Sequence, residues 1–379
     1  MRIRCGAAQR QVLLVSILAF VAAACSPSSA PATAPSESTA DTGPDTQRSY
    51  ALGEFPPFPD GALPGSTAEA LQAALDAAVE DGTFIGVTAA VIVADRGSWA
   101  GAAGSTDGVA LTPDSATPTH SSGKTVVAAE VLRLAEEGLL DLDDPASEYL
   151  PPELRFYDAN GATIRQVLGM RSGIPDLKEF TPDGGAYPAE RASSVVDVFR
   201  KLPEPEQHPP TPAGYASTNY VLLGAIIEHV SGKPLAEVLR SDVLDDPALD
   251  GLVYMVEDAL AGDGYGVEST PASLARWGYE LYGGSVLSDA SLREMTDFGG
   301  EWYGLGVMDL SGEYATLAVG HEGSSSAASC CSLIRLVALP EEGVVISVQA
   351  STGSTDDPYG TYNHDLVRLT QVLREAALG

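Results

Sequence analysis

Hydrophobic and polar positions change period several times along the chain, and each change marks an element. Leu71, Ala74, Leu75 and Ala78 recur at helical spacing behind Ser66-Thr67-Ala68-Glu69, a capping-box pattern, so a helix is expected to open the fold near Ser66. Residues 84–93 are rich in β-branched and small apolar side chains. Asp95-Arg96-Gly97 supplies a turn, and residues 99–103 return as the second strand of a hairpin. Residues 126–137 place Val127, Val131, Leu134 and Ala135 on a buried helix that Gly138 closes. From 146 to 265 helical patterns and Pro/Gly-rich loops prevail, with few strand signals. There Thr163 can cap a helix over 164–170, and 219–230 is a strongly apolar helix ended by Ser231-Gly232.

After residue 266 the spacing predicts a helix over 273–283, then strands over 303–308, 315–319, 332–339 and 344–350. Pro340-Glu341-Glu342-Gly343 joins the last two strands, and 362–377 reads as a terminal amphipathic helix. Strands at both ends with helices between them predict an α+β fold. It is an α/β sandwich whose antiparallel sheet is flanked by helices, with an inserted, mostly α-helical subdomain. The expected boundaries are 63–145 and 266–379 for the α/β lobe and 146–265 for the helical lobe. A cleft between such lobes is a usual place for a ligand.

The first residues read as an address. Arg2, Arg4 and Arg10 precede an apolar run over 12–24, shorter than the roughly 18 residues a membrane span needs. The run ends Val21-Ala22-Ala23-Ala24-Cys25-Ser26. Small residues before a cysteine resemble a bacterial lipobox, in which Cys25 is lipidated and becomes the mature N-terminus. The alternative is an ordinary A-x-A cleavage site and plain secretion or periplasmic release. In both readings 1–24 is a signal peptide and the protein is exported; in the first it is lipid-anchored to the outer face of the bacterial membrane. Residues 25–62, dominated by Pro, Ala, Ser, Thr and Asp, read as a disordered tether.

Charge and cysteine content narrow the partners. The net charge of −31, from 52 acidic against 21 basic residues, repels nucleic acid and anionic headgroups. The expected partner is a small-molecule or peptide substrate; the only membrane contact is the lipid anchor, and the chain is expected to act as a monomer. Cys5 leaves with the signal, and the neighbours Cys330 and Cys331 cannot staple distant segments, so they read as small buried residues at a strand start. No Cys-x-x-Cys or His-x-x-x-His spacing occurs, so no metal and no cofactor is expected.

The chemistry centres on His120-Ser121-Ser122-Gly123-Lys124-Thr125. On a helix, positions i and i+3 share a face, so the Ser121 hydroxyl and the Lys124 amine can meet. A serine nucleophile needs a base close by and donors for the oxyanion it creates, and the first turn of a helix offers such donors. A four-residue pattern of this kind arises by chance, so the rest of the chain must carry the case.

Three catalytic patterns and several framing phrases resemble the serine β-lactamase and penicillin-recognising superfamily, in its class C, D-alanyl-D-alanine carboxypeptidase and esterase branch. The patterns are Ser121-Ser122-Gly123-Lys124, Tyr215-Ala216-Ser217 and His321-Glu322-Gly323. The phrases include Leu134-Ala135-Glu136-Glu137-Gly138-Leu139-Leu140 with Asp141-Leu142-Asp143-Asp144-Pro145, and Arg171-Ser172-Gly173-Ile174-Pro175. Tyr220-Val221-Leu222-Leu223-Gly224 and Tyr303-Gly304-Leu305-Gly306 follow in order. The resemblance runs from about Ser66 to the C-terminus and implies a β-lactamase/transpeptidase-like fold.

It also implies roles. Ser121 would be the nucleophile, Lys124 the base if burial and neighbours keep it partly neutral, and Tyr215 a proton carrier to the leaving group. His321, where many relatives carry Lys-Thr-Gly, would bind a substrate carboxylate or keep Tyr215 proton-competent. Gly323 would let a substrate backbone lie along the strand edge, and the Ser324 N–H would join that of Ser121 in an oxyanion hole. His120 reads as a loop or lining residue, and His208, His229 and His364 as structural or solvated. Two departures stand out: Ser217 replaces the usual asparagine, and Ser324-Ser325-Ser326-Ala327-Ala328-Ser329 replaces a Gly-rich, Phe-containing stretch. Both alter the substrate edge. The expected activity is hydrolysis of an ester or amide (a D-alanyl peptide, a β-lactam or a small ester), the alternative a catalytically weak sensor of penicillin or cell-wall peptide. No Gly-x-Ser-x-Gly elbow occurs, which disfavours an α/β-hydrolase.

Overall fold

Helix α1 (Gly65–Glu80) starts directly behind Pro64, whose φ of −52° and ψ of 145° bring the chain in extended. No side chain caps it, and Ser66 lies one residue inside it, so the expected capping box does not form. The hairpin follows as predicted, with β1 (Gly86–Val93) and β2 (Gly97–Thr106), and β3 (Val109–Ala110) turns back to pair antiparallel with the end of β2. A short strand β4 (Thr117–Pro118) leads into a 3-10 turn over His120–Gly123, and α2 (Lys124–Glu136) continues from it. The computed structural model describes residues 50–176, 194–243, 249, 251–254, 267–326, 331–352 and 361–379.

Thr163 caps α3 (Ile164–Leu168) with a full capping box, its hydroxyl accepting from the Gln166 N–H while the Gln166 side chain accepts from the Thr163 N–H. Helices α4 (Val195–Lys201), α5 (Thr218–Ser231) and α6 (Leu235–Val238) follow. Gly232, at φ 71°, ends α5 as the sequence predicts. Strands β5 (Leu252–Tyr254) and β6 (Val267–Ser269) join β4 in a three-stranded sheet of order β4-β6-β5. Strands of two or three residues are too short to show alternation, which is why this sheet left no trace in the sequence pattern.

Thr270 caps α7 (Pro271–Gly283), and α8 (Asp289–Met295) follows. Residues 303–308, expected as a strand, form a loop that enters the two-residue strand β7 (Met308–Asp309). Gly306 sits at φ +85°, and a Cβ there would collide with Ala128 and approach the Tyr220 hydroxyl to 2.9 Å, so the chain folds tightly onto α2 and α5. Residues 315–318, also expected as a strand, lie outside one, because α9 (Ser311–Tyr314) closes on Ala315 at φ 56°. The strand proper is β8 (Val319–Ser326), followed by β9 (Cys331–Leu339), β10 (Val344–Thr352) and α10 (Thr361–Leu378). Pro340–Glu342 and the left-handed Gly343 make the predicted turn between β9 and β10.

The large sheet is antiparallel, of order β3-β2-β1-β10-β9-β8-β7. β1 pairs with β10 from Gly86↔Ser351 to Val93↔Val344, so the two ends of the chain are zipped into one sheet. Ala90, Ile92 and Val345 face a core built with α2, α5 and α7, while Val87, Ala89, Val91, Ile346 and Val348 face α1 and α10. Burial on both faces explains why these strands read as continuous apolar runs rather than alternating ones.

Residues 50–62, expected as part of the tether, are instead packed. Tyr50 donates to Asp95 Oδ2 at 2.6 Å, the Gly53 N–H to the Tyr282 carbonyl at 2.9 Å, and the Tyr279 hydroxyl to the Pro56 carbonyl at 2.9 Å. Phe55 lies 5.0 Å from the Tyr279 ring, and the Arg276 guanidinium lies 3.7 Å from the centroid of Phe58. Three aromatics, Tyr50, Phe55 and Phe58, bury enough apolar surface to order the stretch. Among the described residues no helix is long and apolar enough to cross a membrane. The apolar run at 12–24, Cys25 and Cys330 lie outside the described residues, as does the Cys331 side chain.

Candidate active site

The site grows from an incomplete sheet edge. β7 pairs with β8 only at Asp309↔Val319 and Met308↔Gly320. Beyond Gly320 the 3-10 turn His120–Gly123 packs along β8 where a longer strand would have lain. Ser122 Oγ donates to the His321 carbonyl at 3.3 Å. A Cβ on Gly323 would stand 2.7 Å from the Thr119 carbonyl oxygen and 2.9 Å from both His120 Cβ and the Ser121 nitrogen. Gly323 is therefore needed for the strand to approach the serine's own turn, a different reason from the substrate backbone that the sequence suggested.

Two further ties hold that turn. Thr119 donates through its N–H and hydroxyl to the Val267 carbonyl on β6, at 2.7 and 3.1 Å. Thr125 Oγ1 donates to the Ser122 carbonyl at 2.8 Å and accepts from the Trp277 indole N–H on α7 at 2.8 Å. His120 is buried at φ 48°, a left-handed conformation costly for a residue with a Cβ. Strain held by this many ties belongs to a turn whose geometry is fixed.

Lys124 Nζ donates to Ser121 Oγ at 3.1 Å. Ser121 belongs to the 3-10 turn and Lys124 to the first position of α2, so the pair meets across a helix junction rather than along one regular helix. Lys124 is wholly buried, while Ser121 is partly exposed. Nζ lies 5.3 Å from the Tyr215 ring centroid and 5.7 Å from that of Tyr220. The loop carrying Tyr215 is fastened to Met170 and Arg171, with the Thr211 N–H donating to the Arg171 carbonyl at 3.0 Å and the Gly214 N–H to the Met170 carbonyl at 2.9 Å. Three of the residues singled out from the sequence, Ser121, Lys124 and Tyr215, thus converge.

Ser217 is also buried, and its Oγ has no hydrogen-bond partner among the described residues. Asn219 does not restore the missing amide. Its Oδ1 accepts from Ser172 Oγ at 2.5 Å and its Nδ2 donates to the Ala216 carbonyl at 3.0 Å, so it braces the loop instead. Ser324 follows Gly323 on β8 and is partly exposed.

His321 is fully buried, and both ring nitrogens are used inside the protein. Nδ1 lies 2.6 Å from the Glu322 carbonyl oxygen and Nε2 lies 3.0 Å from the Tyr303 hydroxyl. A carbonyl has no proton to give, so Nδ1 carries the proton and Nε2 accepts from Tyr303. Burial, with the Lys124 ammonium adding to it, pushes His321 well below the usual histidine value of 6.5, so the ring is neutral. Burial likewise raises the Tyr303 hydroxyl well above 10, which keeps it a donor. The expected contact of His321 with a substrate carboxylate is therefore corrected: no nitrogen is left to make it. On the opposite face of β8, Glu322 pairs with the buried Arg335, which also pairs with Glu313, and Glu322 accepts from Asn363 Nδ2 at 3.1 Å. Among the other histidines, His208 Nδ1 meets Asn160 Oδ1 at 2.8 Å, and His229 and His364 are exposed.

Sequence reasoning missed Trp302 and gave Tyr303, which it named only within a framing phrase, no role at the site. Tyr303 is buried edge-on to Tyr215, with ring centroids 5.9 Å apart and planes at 84°. Trp302 stacks on Tyr215 beside it, 6.3 Å away at 28°, and lies 5.2 Å from Tyr303. The adjacent pair Trp302-Tyr303, just ahead of the Gly304-Leu305-Gly306 phrase, was the available signal. Among the described residues no cluster of three or more His, Cys, Asp or Glu side chains is placed to hold a metal ion.

A serine held by a buried lysine, beside a tyrosine and at the edge of a helix-covered antiparallel sheet, defines a class of serine hydrolases that share one fold. The chain belongs to the beta-lactamase family, whose model matches residues 71–369. Penicillin-binding protein 4 of Amycolatopsis lactamdurans is 32% identical over 159 residues, covering 40% of this chain and 40% of that protein. The N-acetylmuramyl-L-alanine amidase of Bacillus subtilis is 34% identical over 113 residues, 27% of this chain and 25% of that protein. The matches thus cover less than half the length of these curated relatives. Among solved structures, the D-stereospecific amidohydrolase of a Streptomyces species is similar at 25% identity and a TM-score of 0.62, covering 82% of this chain and 98% of that one. The D-amino acid amidase of Ochrobactrum anthropi SV3, at 22% identity and a TM-score of 0.64 over 79% and 99%, shares the fold.

Proposed function

We propose that this chain is an exported serine hydrolase, anchored through a lipid on Cys25, that acts through an acyl-enzyme on an ester or amide such as a D-alanyl peptide, a β-lactam or a small ester. The observation that carries the reading is the 3.1 Å contact between Lys124 Nζ and Ser121 Oγ, made by a lysine withdrawn from water. The likeness to amidohydrolases and a penicillin-binding protein supports it.

In the proposed reaction Lys124 first gives up its extra proton to solvent, and Ser121 Oγ then attacks the substrate carbonyl carbon as its own proton passes to the neutral Lys124 amine. The backbone N–H groups of Ser121 and Ser324 receive the oxyanion. The C–O or C–N bond breaks as Tyr215 passes a proton to the leaving atom, with Lys124 resupplying it. Water then adds to the acyl carbon by the same route in reverse, which frees Ser121 and the acid. His321 serves as a positioning residue, because its nitrogens are already engaged.

A second reading, a sensor that stalls at the acyl stage, is favoured by one feature. The partnerless Ser217 hydroxyl stands where relatives carry an asparagine amide. Incubating the exported portion with a fluorescent penicillin, a fluorophosphonate and a chromogenic ester, beside Ser121→Ala and Lys124→Met, tests both. Labelling and turnover that vanish in both variants are expected. Stable labelling without turnover makes it a sensor, and neither signal from the native protein overturns the hydrolase.

A further inference from the structure

Trp302 is 43% exposed, an unusual state for the largest side chain in a folded protein. It is nevertheless held firmly. Its indole N–H donates to the Ala213 carbonyl at 3.3 Å, its ring stacks on Tyr215, and it meets Tyr303 edge-on at 5.2 Å and 68°. Of the other tryptophans, Trp277 is wholly buried and Trp99 is half-buried in the sheet. Because its one polar atom is already bonded, Trp302 offers only carbon surface, and its ring stacks on Tyr215, whose own ring lies 5.3 Å from the Lys124 amine.

We infer that Trp302 forms the wall of a substrate subsite that takes an uncharged apolar group, preferentially an aromatic ring, beside the reacting bond. The inference rests on the hydrolase reading above and narrows its substrate class. Three observations converge on it: a fixed ring, exposed apolar surface, and contact with the tyrosine that lies beside Lys124, the partner of Ser121. Aromatic faces prefer offset or edge-on contact with another ring, and Trp302 is oriented in advance for either. Apolar walls with a few fixed polar groups are the usual make-up of a small-molecule site. The chain's net charge of −31 disfavours an anionic group in the same place.

Three thioesters with no other ring test this: S-methyl thioacetate, S-methyl phenylthioacetate and S-benzyl thioacetate, followed by thiol release. The native protein is expected to prefer one or both phenyl-bearing substrates over the methyl one. Trp302→Ala lowers kcat/KM for the preferred phenyl substrate by about ten-fold or more, in line with the discrimination an apolar pocket provides, and lowers that for S-methyl thioacetate by less than about three-fold. Trp302→Phe, which keeps an aromatic wall and reports on folding, retains most of the preference. Equal losses on all three substrates, or a phenyl preference untouched in Trp302→Ala, overturn the subsite and leave the hydrolase standing. No turnover of any thioester by the native protein, with Ser121→Ala as the blank, overturns both.

Discussion

The hydroxyl of Tyr303 donates to Nε2 of His321 across 3.0 Å, in a place closed to water. That bond, together with the Glu322 carbonyl on Nδ1, fixes one tautomer of a neutral imidazole next to the Lys124 amine. Tyr303 also packs its edge against Tyr215, so one buried phenol orients two residues of the site.

Tyr303→Phe keeps the ring and removes that donor. The orphaned Nε2 is expected to cost about 1–3 kcal/mol in urea unfolding. The acylation rate is expected to fall while the ring packing against Tyr215 persists. Nitrogen NMR of labelled histidine checks the cause: the native spectrum shows a proton on Nδ1, and the variant shows an altered tautomer balance.

Gly323→Ala places a methyl against the backbone of Thr119 and Ser121, neither of which can move without dragging the nucleophile. The expected cost in stability is about 1–3 kcal/mol. Fluorophosphonate labelling of Ser121 should slow by more than that stability loss accounts for. A variant that labels at the native rate would show that the turn has room to shift.

His321 makes folding sensitive to acid. Its value lies well below 6.5 in the folded protein, so below that pH the unfolded chain takes up a proton that the folded one refuses. Stability contributed by the neutral ring is complete above 6.5 and is lost as pH falls, at about 1.4 kcal/mol per pH unit for one proton. Urea unfolding between pH 7.5 and 5.5 measures the slope. His321→Asn should show a shallower slope by about that amount.

The segment ahead of α1 is a working part of the fold. Phe55→Ala removes the contact with Tyr279, and Phe58→Ala removes the surface on which Arg276 lies. Each is expected to lower stability by about 1–3 kcal/mol, read from the urea midpoint. A segment that served only as a tether would leave the midpoint unchanged.

What the sequence determined by itself was whatever local chemistry encodes. Helical periodicity placed α2, α5, α7 and α10, the Thr163 capping box placed α3, and the Pro340–Glu342 turn with Gly343 joined β9 to β10. The spacing of Ser121 and Lys124 sufficed to name the pair, because three residues span the distance whether the junction is a regular helix or a 3-10 turn. Tertiary structure decided the rest, since it depends on contacts between residues far apart in the chain. Only the late start of β7 leaves the edge of β8 to the nucleophile turn, which gives Gly323 its purpose. Only burial from all sides turns His321 from a substrate contact into a fixed neutral ring, and only contacts with distant residues such as Asp95, Arg276, Tyr279 and Tyr282 order residues 50–62. No periodicity records such encounters, because each is settled by which surfaces the finished fold brings together.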